Sequence, residues 1–411
     1  MDRKCQGSWG SSPGSEPGQL NEACSDRRID LISWPHAAPE PAYRRRSEIP
    51  LSIVQKTDPR FPRLVRLLAG SPTGAFHVIC QRDNTDVKEA QEYRRRIYLA
   101  RHFPPAVEAR IAKRYEVVRN ESDEIMTAAQ LAAEAKGCDY LLVSPTETVS
   151  RPVFEQLAGT LKAVATLAVG YDRIDLEAAR QHGVAVFNAP GVLTDACADL
   201  GMMLLLNASR RGYEADALLR SGNWTGWAPT QLLGVGLGGK RLGILGMGRI
   251  GQAVAARARG FGLEIHYHNR TRLPDAEELG ARYYETPEAL LAVSDIFMIC
   301  APGTPALAAF LDYRRISLLP RNAIVINISR GDTVVDDALI AALEEKRIFA
   351  AGLDVYANEP AVDPRYCRLN NVFLTPHIAS ATEETRDAMG FILLDALEDY
   401  ERGTVPANQL C

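Results

Sequence analysis

The feature that most constrains this chain is a glycine string set between two kinds of periodicity. Leu242-Gly-Ile-Leu245 reads as a short apolar strand, Gly246-Met-Gly-Arg-Ile-Gly251 follows at once, and Ile250, Val254, Ala258 and Phe261 continue at helical spacing. Strand, glycine turn and helix in that order build a dinucleotide-binding βαβ unit. Gly246 permits the tight turn, Gly248 lets backbone approach a pyrophosphate, and Gly251 lets helix pack on strand. The N–H groups that open the helix then face phosphate with the dipole behind them. Gly246, Met247, Gly248, Arg249, Ile250 and Gly251 are therefore expected to form a cofactor-binding turn.

The chain has 31 glycines in 411 residues, so the string alone is a weak signal, and a second copy of it occurs at Gly234, Gly236 and Gly239. That copy follows Trp227-Ala-Pro229 and leads into Lys240-Arg241 and then a strand, the wrong order for a dinucleotide turn. It also approximates a phosphate-binding loop, but Arg241 stands where a Ser or Thr is required to hold magnesium. It is rejected as a nucleotide site.

The strand after the accepted motif, Leu263–His268, ends where an NAD site places an acid for the adenosine ribose. Here Asn269, Arg270, Thr271 and Arg272 follow instead. An uncharged amide beside two guanidinium groups suits a 2′-phosphate, which Arg clamps through paired, charge-assisted hydrogen bonds. The expectation is NADP(H) in preference to NAD(H); the other reading is a solvated turn with NAD(H) held by ribose contacts alone.

Short apolar runs separated by helical segments extend on both sides of this unit. Ile97–Leu99, Tyr140–Val143, Val164–Val169 and Val184–Phe187 precede it, with helical stretches at 106–114 and Asp195–Arg211, and a second alternating series runs from Leu242 to Leu374. Continuous apolar strands of this kind are buried on both faces of parallel sheets. The predicted fold is therefore α/β, with two Rossmann-like or flavodoxin-like lobes and a cleft between them.

Residues 1–95 read differently. Nine of the 24 prolines fall within residues 1–75, with a Gly/Ser-rich run from Gly7 to Gly18 and basic triplets at Arg44–Arg46 and Arg94–Arg96. Little periodic apolar pattern offsets the ordering entropy there, so a loosely packed or disordered extension is expected. Charge is balanced, 47 Lys+Arg against 51 Asp+Glu, so no global field recruits nucleic acid or an anionic membrane. No apolar run approaches the roughly 20 residues a bilayer span needs. No secretory leader is visible, and eight scattered cysteines without a C-x-x-C pair read as reduced thiols with no metal site. The expectation is a cytoplasmic protein.

Three further segments resemble the D-isomer-specific 2-hydroxyacid dehydrogenase family: Asn327-Ile-Ser-Arg-Gly-Asp-Thr-Val-Val-Asp336, Gly352-Leu-Asp-Val-Tyr-Ala-Asn-Glu-Pro360 and Leu374-Thr-Pro-His-Ile378. With Gly246–Gly251 and Ala168-Val-Gly-Tyr-Asp172, the resemblance covers roughly residues 96–405. Within the family it is nearest the glyoxylate/hydroxypyruvate reductase branch, through Trp227-Ala-Pro, Asn269-Arg-Thr-Arg and Pro376-His-Ile-Ala-Ser-Ala-Thr382. It implies a catalytic Arg330, Glu359 and His377, separated by 29 and 18 positions. Reduction of a 2-keto acid leaves an alkoxide that must be protonated, for which His is suited. A carboxylate on the other ring nitrogen fixes the tautomer, and Arg330 can hold the substrate carboxylate and polarise its carbonyl. The resemblance further implies substrate contacts from backbone N–H groups around Val169 and Gly170. Asp354 is expected against the nicotinamide carboxamide, and Pro302 and Ile328 on the cofactor wall.

The boundaries expected are an extension at 1–95, a discontinuous substrate lobe at 96–196 plus 377–411, and a dinucleotide lobe at 197–376. The family resemblance also implies a homodimer through the helical region Asp195–Arg211, which the apolar run Leu200–Leu206 would suit. Ala379 and Cys197-Ala-Asp199 depart from the family's commonest pattern. The alternatives are a D-lactate-type dehydrogenase and an NAD(P)(H)-sensing, corepressor-like protein that docks through its N-terminal arm.

Overall fold

The computed structural model describes residues 94–411, apart from 275–277 and 279. The expected extension, apart from Arg94 and Arg95, lies outside the described residues. Arg95 already belongs to the fold: its carbonyl accepts from Glu116 N at 3.0 Å.

Two wholly parallel sheets organise the described residues. The first contains β1 (Arg96–Leu99), β2 (Glu116–Arg119), β3 (Tyr140–Val143), β4 (Ala163–Thr166) and β5 (Ala185–Phe187), in the order β2-β1-β3-β4-β5. Between them run α1 (Pro105–Arg114), α2 (Ala128–Glu134), α3 (Arg151–Gln156) and α4 (Leu176–Gln181). Strands β3, β4 and β5 are buried at every position, as two-sided coverage by helices requires. The expected strand Val164–Val169 stops at Thr166, and residues 167–169 bend away.

Two helices, α5 (Thr194–Arg210) and α6 (Gly212–Arg220), lead into the second sheet. Its strands are β6 (Arg241–Leu245), β7 (Glu264–His268), β8 (Arg282–Tyr283), β9 (Ile296–Ile299), β10 (Ile324–Asn327), β11 (Ala350–Leu353) and β12 (Val372–Leu374). They lie in the order β12-β11-β10-β9-β6-β7-β8, so the strand order reverses beside β6. The covering helices include α7 (Arg249–Arg259), α8 (Pro287–Leu291), α9 (Tyr313–Leu318) and α10 (Asp336–Glu344).

Most of the apolar run Leu200–Leu206 is buried inside the chain. Leu200, Met202, Leu204 and Leu205 are buried, and α5 packs on α7, β10 and β11. Gly201 and Gly352 make that packing close: a Cβ on Gly201 would stand 3.1 Å from Ile328 Cδ1, and one on Gly352 would stand 3.0 Å from Leu204 Cβ. Leu200, Met202, Leu204 and Leu205 therefore serve this chain's own core, while Met203 and Leu206 of the same run are only half-buried.

After β12 the chain returns to the first sheet. Helix α11 (Glu383–Glu401), capped by Thr382 Oγ1 accepting from Thr385 N at 3.1 Å, packs on α1 and β4. Gly390 brings it close, since a Cβ there would fall 2.3 Å from Val107 Cγ2. Leu393, Leu394 and Leu397 are buried, and truncating one such leucine costs about 2–5 kcal/mol.

Candidate active site

Every residue expected to carry chemistry follows the carboxyl end of a parallel strand, the edge at which open α/β sheets hold ligands. Gly246 follows β6, Asn269 follows β7, Arg330 follows β10, Asp354 follows β11 and His377 follows β12; on the first sheet, Gly170 follows β4. Arg330, Glu359, His377 and Gly170 line a single cavity of about 790 Å³. A smaller cavity of about 500 Å³, bordered by Asn207, Tyr213, Ala350 and Val372, lies at the amino ends of β11 and β12.

His377 Nδ1 lies 2.7 Å from Glu359 Oε2, and Glu359 Oε1 accepts from Tyr356 N at 2.8 Å. Burial raises the Glu359 carboxyl, but its hydrogen bond to His377, the histidine charge and the Tyr356 N–H outweigh that and hold it below the usual range. Glu359 is thus a carboxylate at neutral pH, fixed to one nitrogen of the ring.

The backbone at His377 is in the left-handed region, with φ 53°. Such a conformation persists where the surroundings over-determine it. Here Asp354 does so. Its buried carboxylate accepts from Thr375 Oγ1 (2.7 Å), Ile378 N (2.8 Å) and Ala379 N (2.9 Å), and its backbone carbonyl accepts from His377 N at 2.9 Å. The sequence reading sets Asp354 against the carboxamide of a cofactor; the structure leaves the side chain with 0% exposure and turns it onto the histidine loop.

Arg330 reaches across to the first sheet's loops. Its Nε and Nη2 donate to Asp172 Oδ1 at 3.2 and 3.1 Å, and Nη1 donates to Ser329 O at 2.9 Å. Gly170 makes this approach feasible, because a Cβ there would sit 1.7 Å from Arg330 Nη2. Among the described residues the N–H groups of Val169 and Gly170 have no acceptor, and Gly170 lines the same cavity as Arg330. Asp172, quoted in the sequence only as part of a motif, is a site residue that sequence reasoning missed. No local pattern signals a partner 158 positions away.

The glycine turn is built as its motif requires. Gly246 has φ 96°, and a Cβ would stand 2.4 Å from Ala301 N; a Cβ on Gly251 would stand 2.3 Å from Gly246 O. Gly248 is exposed, and a Cβ there meets nothing within 4 Å, which leaves the approach to the helix start open. Arg249 is exposed at the start of α7, while Ile250 is half-buried. These residues fit a dinucleotide.

Beyond β7 the four ribose-side residues divide. Asn269 spends its side chain on the glycine turn, with Oδ1 accepting from Met247 N at 2.7 Å. Arg272 pairs with Glu278 through bonds of 2.8 and 2.9 Å. Arg270 and Thr271 are exposed, and Arg270 has no ion pair among the described residues. Of the remaining expected positions, Val169 and Pro302 are exposed, whereas Ile328 is buried against Gly201.

Comparison with known proteins agrees with this geometry. Residues 202–379 match the family described as D-isomer specific 2-hydroxyacid dehydrogenase, NAD binding domain. A glyoxylate reductase of Thermococcus litoralis is 43% identical over 318 residues, which is 76% of this chain and 96% of that protein. A solved D-isomer-specific 2-hydroxyacid dehydrogenase, NAD-binding, from Polaromonas sp. is 56% identical with a TM-score of 0.75, across 78% of this chain and 100% of that one. The NADPH-dependent glyoxylate/hydroxypyruvate reductase of Sinorhizobium meliloti, solved with NADP and malonate, is 34% identical with a TM-score of 0.70, covering 78% and 97%. With a glycine turn at the strand reversal and an arginine, a glutamate and a histidine on one cavity, this chain belongs to the D-isomer-specific 2-hydroxyacid dehydrogenase family.

Proposed function

We propose that the protein reduces glyoxylate and hydroxypyruvate to glycolate and D-glycerate, with NADPH preferred to NADH. Membership of the family makes it an oxidoreductase with a nicotinamide cofactor; the choice of substrate and coenzyme is our reading. The observation that carries it is the 2.7 Å Glu359–His377 contact on the same cavity as Arg330. The names of the Thermococcus and Sinorhizobium relatives support the substrate class.

When bound, the cofactor supplies the hydride that reduces C2 of the oxoacid. Arg330 holds the substrate carboxylate and polarises the C2 carbonyl, exchanging its bond to Asp172 for one to the substrate. The Val169 and Gly170 N–H groups take the second carboxylate oxygen. Glu359 fixes the His377 ring through Nδ1, which leaves Nε2 to deliver a proton to the C2 oxygen. Asp354 keeps the His377 loop in place.

Arg270 is the guanidinium we assign to the 2′-phosphate, since Arg272 already pairs with Glu278. A homodimer is part of the reading, supported by the exposed Leu219, Trp224, Trp227 and Leu233.

Steady-state rates with glyoxylate and hydroxypyruvate, each with both reduced coenzymes, test the proposal. The expected result is oxidation of NADPH faster than of NADH, with Arg270→Gln lowering the NADPH:NADH ratio of kcat/KM by about tenfold. Silence with every oxoacid would overturn the reductase reading, and an NADH preference would overturn the coenzyme assignment.

A further inference from the structure

The cavity that holds Arg330 and His377 is also lined by Arg101, Arg173 and Arg386, and the chemistry above has no use for Arg386. It lies in the first turns of α11, nine positions after His377. Its Nε donates to Ser380 O at 3.2 Å, which tethers the guanidinium to the loop that carries the histidine.

The other charges around the cavity are paired, apart from Arg173 and Asp332, which are exposed. Arg101 meets Asp123 at 3.0 Å, Arg330 meets Asp172 at 3.1 Å, and His377 meets Glu359 at 2.7 Å. Arg386 has no ion pair among the described residues, although it is only partly exposed and burial pushes its guanidinium below arginine's ordinary value. Asp354, the acid whose charge it feels, spends its carboxylate on the histidine loop. A half-buried guanidinium without an anion costs stability, and a ligand group that accepts hydrogen bonds removes the cost.

We infer that Arg386 is a specificity-determining residue that receives a hydrogen-bond acceptor on C3 of the substrate, a hydroxyl or a carboxylate. This rests on the reductase reading and deepens it. Arg330 and the Val169–Gly170 backbone take C1, His377 takes the C2 oxygen, and the C3 substituent is the next group outward. A site built to donate hydrogen bonds discriminates far more strongly against an analogue that lacks the acceptor than an apolar pocket discriminates between methylenes.

The full chain is assayed with hydroxypyruvate, oxaloacetate and pyruvate, which differ at C3 by a hydroxyl, a carboxylate and neither, and with glyoxylate as reference. Wild-type protein is expected to favour the hydroxyl or the carboxylate substrate over pyruvate in kcat/KM, and the better of the two identifies the acceptor. In Arg386→Gln that preference falls by about tenfold to a hundredfold, mainly through KM, and Arg386→Lys restores part of it. The same preference in wild type and both variants, or a wild type that favours pyruvate, would overturn the inference while leaving the reductase reading intact. A wild type inert toward all four oxoacids would overturn both. If the Gln variant does not fold, the KM pattern of the Lys variant decides, because it keeps the charge and shortens its reach.

Discussion

Two stretches of this molecule spell the same glycine string, and only one lies between a buried parallel strand and a helix. At Gly246–Gly251 the glycines are demanded by geometry: one has a positive φ and abuts Ala301, another seats α7 on the turn, and the middle one opens to solvent. At Gly234–Gly239 the chain runs as an irregular connection into β6, with Val235 N donating to Ser209 O at 2.8 Å and Gly239 N to Gly262 O at 2.9 Å. There Gly234 is a packing glycine whose Cβ would meet Ser209 O at 2.4 Å, while Gly236 meets nothing within 4 Å. The glycine spacing is identical; the difference is whether a buried parallel strand precedes it and a helix follows.

Substitutions can break this comparison. The largest effect is expected for Gly246→Ala, which forces an L side chain into a left-handed backbone and against the Ala301 N–H. A loss of about 2–4 kcal/mol in urea unfolding, with no measurable coenzyme binding, is the expected outcome. A sharper contrast comes from Gly248→Ala and Gly236→Ala, both at positions where a methyl group meets no protein atom. Each variant is expected to unfold within about 0.5 kcal/mol of wild type. Only Gly248→Ala should weaken coenzyme binding, by tenfold or more on the order of one lost close contact, as fluorescence titration would register. Equal affinities in the two variants would mean that the dinucleotide does not approach Gly248.

Much of this was legible in sequence because it follows from local pattern. Buried parallel strands are continuous apolar runs, so β3 and β6 announce themselves, and a family motif carries Arg330, Glu359 and His377 in one order. What was not legible depends on contacts between distant positions. Asp354 is singled out in the sequence for a cofactor contact, and only the fold shows that its carboxylate pins the loop at His377. Asn269 sits where a ribose contact is expected, and only the fold shows that its Oδ1 accepts from Met247 N. Within the run Leu200–Leu206, only the fold separates the four buried hydrophobics from the half-buried Met203 and Leu206.

The smallest effect concerns Asp172 and Arg330. Burial raises the Asp172 carboxyl, but the charge and hydrogen bonds of Arg330 outweigh it, and the group is held below its ordinary value. Its contribution to stability is therefore complete above the unfolded carboxylate range near pH 4 and is lost as pH falls through the lower folded value. Both side chains are partly exposed, so Asp172→Asn should cost only about 0–1 kcal/mol at pH 7. The gap between the two urea midpoints should close as pH falls below the unfolded carboxylate range and through the lower folded value; a gap that widened on acidification would contradict the pairing.

The central claim is that His377, held by Glu359, is the proton donor in the cavity shared with Arg330. Single-turnover reduction of glyoxylate by His377→Ala, alongside a coenzyme titration of the same variant, tests it most directly. The account predicts a rate about 10²–10⁴-fold below wild type with coenzyme affinity preserved. Near-normal turnover in that variant would contradict it.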